Sequence, residues 1–169
     1  MIALMAVLIA LTAAFTIAIQ IPIGATGGYW NPSSIAITFS GLAFGPWVGG
    51  VAGGVGTAIA DLATGYGQFA PISLLAHGLE GFLIGWLGRK RRTLPGMIFA
   101  WSMGSLAMIL VYLLGGALLK GWPASFGEVP FNVFQAIVGG LVGIPLVMAV
   151  RRAYPQIDQM GQSRTWTEE

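Results

Sequence analysis

The feature that most constrains this chain is the near absence of charge along its first half, where residues 1–88 carry only two formal charges, Asp61 and Glu80. A helix crossing the hydrocarbon core of a bilayer needs about 20 mainly apolar residues, and long charge-poor runs are its signature. Over the whole chain of 169 residues, 8% are charged and 56% hydrophobic, against roughly 25% charged in an ordinary soluble domain. The sequence therefore reads as an all-α integral membrane protein. No segment keeps up the apolar/polar alternation that a membrane β-barrel requires.

The apolar segments fall at 2–20, 33–47, 48–63, 71–88, 95–119 and 129–150. They predict a polytopic protein with six transmembrane helices in a compact bundle. The first segment, MIALMAVLIALTAAFTIAIQ, lacks the basic n-region of a signal peptide and is long enough to span, so it is expected to be retained. Phe44-Gly45-Pro46-Trp47 divides the second from the third, and Pro46 there removes a backbone donor and favours a tight turn. Arg89, Lys90, Arg91 and Arg92 follow the fourth segment, while Arg151 and Arg152 follow the sixth. Both clusters then lie on one side, which the positive-inside rule makes the cytoplasm, with both termini cytoplasmic. The outer loops become 21–32, 64–70 and 120–128, and Lys120 is their only basic residue.

Small residues are spaced for close helix contact. Gly41, Gly45, Gly49 and Gly53 recur every fourth residue, Gly50 and Gly54 repeat the spacing, and Ala6, Ala10 and Ala14 do so in the first segment. The glycines suit internal packing, whereas the alanine stripe also suits a flat docking surface for another membrane protein.

Polar groups at membrane depth are a sharper signal, because an ionisable side chain there needs a partner or a cavity. If the fourth helix enters near Pro71, His77 lies about 9 Å and Glu80 about 13 Å along it, at 1.5 Å per residue. Their i, i+3 spacing puts them on one face, in the outer half of a core about 30 Å thick. Asp61 falls at the outer end of the third helix, and Asn132 and Gln135 near the outer start of the sixth. Tyr29, Trp30, Asn31, Tyr66, Gln68, Lys120, Trp122 and Glu128 belong to the outer loops or their borders. Polar side chains thus converge on the outer half. Each also has a structural reading: His77 bonding Glu80 or a carbonyl, Asp61 ending its helix, Asn31-Pro32 making a turn, and the border aromatics anchoring at the interface.

Enzymatic readings find little here. His77 and Glu80 lack the second histidine of a zinc-protease helix, and there is no Gly-x-Ser-x-Gly or phosphate-binding Gly-Lys-Ser/Thr loop. A chain without cysteine has no disulfide or thiolate metal site. Its net charge of only +2, with basic residues at helix ends, fits lipid headgroups rather than nucleic acid. A structural scaffold or a self-sufficient secondary carrier stay open as rivals. A large cavity lined by His77 and Glu80 would favour transport, and a filled outer half would favour the scaffold.

Nearly the whole chain resembles the S components of energy-coupling factor (ECF) transporters. The resemblance rests on size, on ALMAVLIALTAA in the first helix, on the block GLAFGPWVGGVAGGVGTAIADLATGYGQFAPISLLAHGLEGFLIGWLGRK, and on the polar start of the sixth helix. That block is similar to the riboflavin and hydroxymethylpyrimidine/pyridoxine branch in particular. The resemblance implies a substrate-binding domain at 1–152, a short cytoplasmic tail at 153–169, and a prokaryotic cell membrane location. It implies capture of a vitamin from outside, then docking on a transmembrane coupling subunit through Ala6 and Ala10, with Ala14 as an extension. Two partner ATPase subunits would hold the ATP, leaving no cofactor in this chain. The implied substrate-binding residues are Asn31, Asp61, Tyr66, Gln68, His77, Glu80, Asn132 and Gln135. Tyr29, Trp30, Phe69 and Trp122 would stack on a heteroaromatic ring. A hydroxymethylpyrimidine, thiamine-related or pyridoxine-like ligand is expected first and riboflavin next, and the lack of an outer cationic cluster argues against a phosphate ester.

Overall fold

A computed structural model describes residues 2–24 and 26–160, the side chains of 158 and 159 excepted. Among these residues the chain folds into six bundled helices: α1 (Ile2–Ala18), α2 (Ser34–Phe44), α3 (Pro46–Ala63), α4 (Ala70–Gly88), α5 (Leu94–Lys120) and α6 (Trp122–Ala153). Of these, α4, α5 and α6 are each long and apolar enough to cross a bilayer. With 11 residues, α2 rises only about 16 Å, too short to cross a membrane core alone. A one-turn helix, α7 (Ile157–Met160), packs on α2 and begins the expected tail. Residues 161–169 of that tail lie outside the described residues.

Two features depart from the segments expected from hydropathy. The first loop contains an antiparallel hairpin, β1 (Ile21–Ile23) and β2 (Gly28–Trp30), in the register Ile21↔Trp30, Pro22↔Tyr29 and Ile23↔Gly28. Three-residue strands are too short to leave a periodic signal. In addition, the expected loop 120–128 is almost wholly helical, since α6 begins at Trp122 with Pro123 in its first turn, where a missing N–H costs nothing. Pro130 lies inside that helix, which is why hydropathy and proline together suggest a start near 129. The α2/α3 break falls at Gly45, whose φ of 93° is a conformation that side-chain-bearing residues rarely adopt.

Helix α3 packs most extensively on α4. An ideal Cβ on Gly49 would stand 2.6 Å from both the Gly41 Cα and the Gly81 carbonyl oxygen, so backbones meet there directly. Close approach of this kind substitutes for the hydrophobic drive that lipid abolishes. The adjoining core of Leu42, Phe44, Val48, Ile84, Met97, Ile144 and Val147 is buried. Here the basic clusters also meet the bundle. Arg151 Nη2 donates to the Leu42 carbonyl at 2.9 Å, and the Arg89 side chain lies against Gly45. The clusters therefore share one end of the bundle, as helix parity predicts. The hairpin caps the opposite end, where the Lys120 ammonium reaches the Thr26 carbonyl at 3.4 Å.

Candidate functional site

Beneath the hairpin, β2 and helices α3 to α6 bring polar side chains together. Asp61 comes from the last turn of α3 and is only 1% exposed. Its Oδ1 accepts a short hydrogen bond from the Tyr29 hydroxyl on β2. Burial, and then the Asp61 charge, raise the Tyr29 pKa well above its usual value, so the phenol stays protonated and donates. The other carboxylate oxygen, Oδ2, has no hydrogen-bond partner. Ser73 Oγ, one turn before His77 on α4, pairs with the Tyr112 hydroxyl of α5 at 2.8 Å. The Tyr112 ring packs edge-on to the His77 imidazole, with centroids 5.4 Å apart.

His77 and Glu80 are both buried and bonded to one another, Nδ1 to Oε2 at 2.6 Å. Gln135 of α6 closes the group, its Nε2 lying 3.3 Å from His77 Nε2 and 3.5 Å from Ser34 Oγ. An imidazole whose Nδ1–H donates to the Glu80 carboxylate has Nε2 free to accept the Gln135 amide N–H, so one tautomer satisfies both contacts. Glu80 Oε1 has no partner. The sequence-based pairing of these two residues on one face is thus observed. So is the bond between them.

Above this pair lies a cavity of about 30 Å³ lined by Tyr29, Asn31, Asp61, Phe69, Ser73, Tyr112, Glu128, Asn132 and Gln135, among others. His77 and Glu80 are not in its wall; they lie one layer deeper, behind Tyr112 and Gln135. Of the other expected residues, Asn31 is buried in the wall, and its Oδ1 accepts from Ser33 N–H at 2.9 Å, so it also makes the turn into α2. Asn132 is half-buried in the wall. Tyr66 stays outside it but packs against Tyr29, the tilted rings 4.5 Å apart between centroids. Gln68 is exposed on the α3–α4 loop and touches none of this cluster.

Sequence reasoning did not select Ser73, Tyr112 or Glu128 as site residues. Ser73 had a legible signal, since 73, 77 and 80 share one helical face. Tyr112, the lone tyrosine of an apolar helix, was visible in composition alone. Glu128 looked like a loop residue. In the extended α6 it is buried at 7% exposure and forms an ion pair with Lys120 at the α5–α6 turn. The Lys120 ammonium also sits 4.8 Å over the Phe69 ring. Of the expected stacking aromatics, Phe69 lines the cavity, Trp30 packs on Phe134, and Trp122 faces outward.

Fold and site together define a class: a polytopic helical membrane protein whose buried polar groups gather at one end, under a hairpin. The chain belongs to the ECF-type riboflavin transporter S component family, whose model matches residues 1–152. It is a substrate-binding membrane subunit of the vitamin-uptake kind. Relatives include the thiamine precursor transporter HmpT of Lactococcus lactis subsp. cremoris, 27% identical over 76% of this chain and 74% of its own length. An uncharacterized protein of Pyrococcus woesei is 34% identical over 76% of this chain and 86% of its own. A UPF0397 protein of Streptococcus pneumoniae is 34% identical over 64% of this chain and 62% of its own.

Proposed function

We propose that this protein captures a small heteroaromatic vitamin or vitamin precursor at the hairpin end of its bundle and delivers it to an ATP-driven ECF module. A hydroxymethylpyrimidine, thiamine-related or pyridoxine-like ligand is favoured, with riboflavin next. The observation that carries the reading is the gathering of Tyr29, Asp61, Ser73, Tyr112, Asn132 and Gln135 around one buried cavity. In a bilayer such polar groups are retained where they meet a ligand or one another. The relative HmpT, a thiamine precursor transporter, points the same way.

Residues 1–152 constitute the transmembrane substrate-binding domain, and 153–169 a short cytoplasmic tail. The basic end faces the cytoplasm of a prokaryotic cell and the hairpin faces outward. Docking on the transmembrane coupling subunit uses Ala6, Ala10 and Ala14, all on the exposed face of α1. Two ATPase subunits of the module bind the ATP, so this chain needs no cofactor. The cavity is small, about 30 Å³.

That small volume is also what a scaffold protein would present, its polar residues only stitching helices together. Titration of purified protein with a panel of B vitamins and their precursors separates the two. Saturable, high-affinity binding of one of them is expected. Absence of binding or thermal stabilisation by any would leave the scaffold reading. Uptake into vesicles by this chain alone, without ATPase partners, would instead make it a secondary carrier.

A further inference from the structure

The cavity wall is unequal in hydrogen-bond chemistry. Asp61 is only 1% exposed, and its Oδ2 is an acceptor without a donor. Oδ1 is already taken by Tyr29. Ser73 lines the same cavity, and its hydroxyl is paired with that of Tyr112. Lys120, the nearby cation, is engaged with Glu128 and does not satisfy Asp61. One layer deeper, Glu80 Oε1 is a second buried acceptor without a donor. A buried carboxylate oxygen left without a donor is costly, and a ligand that brings a donor recovers that cost.

Resting on the vitamin-capture reading, we infer that the pocket selects its ligand by an N–H donor presented to Asp61, so that an amino-substituted heteroaromatic ring is accepted over its oxo-substituted counterpart. An exocyclic amino group donates to Oδ2 where a ring carbonyl would set oxygen against oxygen. A positive charge on the neighbouring ring nitrogen would strengthen the same contact. The amides of Asn132 and Gln135, which line the other part of the cavity, both donate and accept and so suit the remaining ring edge. Phosphorylated ligands are disfavoured by the same carboxylates, since the one lysine at hand is already paired.

The test is calorimetric titration of the purified full-length protein with 4-amino-5-hydroxymethyl-2-methylpyrimidine, its 4-oxo counterpart and riboflavin. The amino compound should bind roughly 10- to 100-fold more tightly than the oxo compound. In Asp61→Asn, whose amide can donate to a carbonyl, that ratio should fall to about unity. Equal affinities in the unsubstituted protein, or a preference for the oxo compound or riboflavin, would overturn the donor rule while leaving vitamin capture intact. Failure to bind any of these or any B vitamin would overturn both. Should Asp61→Asn not fold, the ratio measured on the unsubstituted protein still decides.

Discussion

The two ends of this bundle are held together by different means. At the basic end, backbone lies on backbone: Gly41, Gly49 and Gly81 bring α2, α3 and α4 so close that a Cβ on Gly49 would overlap both neighbours. At the hairpin end, Asp61, His77, Glu80 and Gln135 are buried around a half-buried Tyr112, and two carboxylate oxygens there lack a donor. The glycine half shows that this chain can join helices without polar groups. The polar half, with unpartnered acceptors, is therefore poor glue. Its composition is better explained by what it is to hold.

The sharpest way to break that contrast is to overfill the glycine half. Gly49→Val places a branched side chain against two backbones that cannot rotate away, where overpacking costs about 3 kcal/mol or more. Loss of monodisperse protein, or a large fall in melting temperature in detergent, is expected. An unchanged melting temperature would mean that the helices tolerate a wider separation and that the close approach is not what holds this end.

Next in size is Glu80→Ala, which should abolish ligand binding while the protein stays folded. The substitution removes the acceptor that orients His77 and, through His77, the Gln135 amide in the cavity wall. Binding by titration and folding by size-exclusion profile are both read on the same sample. Retained affinity would reassign Glu80 to helix packing and move the site wholly into the layer above it.

Much of this was legible in the chain before any coordinates. Charge depletion fixed the membrane class, and the spacing of His77 and Glu80 put them on one face because a helix repeats every 3.6 residues. Basic clusters after the fourth and sixth segments were expected at one end, and Arg151 and Arg89 meet the same α2–α3 junction. The illegible parts depend on tertiary contact. Three-residue strands carry no period, so the hairpin that delivers Tyr29 to Asp61 was hidden in a loop. Glu128 was misread for another reason: Pro130 resembles a helix start, yet here it sits inside a helix already begun at Trp122.

A smaller effect is expected from Tyr29→Phe, which removes the donor to Asp61 Oδ1 but keeps the ring that packs against Tyr66. The loss in ligand affinity should be about 10-fold, the size of one hydrogen bond to a charged group. Melting temperature should fall by a few degrees as well, because Oδ1 is left buried without its donor while the hairpin's backbone register is untouched. A stability loss without an affinity loss would assign the Tyr29–Asp61 bond to holding the hairpin down.

The smallest effect on binding, and the cleanest separation of functions, is expected on α1. Its buried side carries Leu8, Thr12 and Thr16, with Thr12 pressed against Gly56 of α3. Ala6, Ala10 and Ala14 face away from the bundle and are exposed. Leucines at 6 and 10 would therefore point away from the described residues of the bundle, and ligand affinity should stay within about 2-fold, as for surface changes away from special features. A partner helix seated on that flat stripe would be pushed off, because small residues are what permit close approach in lipid. Co-purification with the coupling subunit and ATP-dependent uptake should both fall sharply in Ala6→Leu/Ala10→Leu. Assembly that survives both substitutions would move the docking surface off this face of α1. A loss of ligand binding instead would show that the exposed face of α1 and the polar end are not independent.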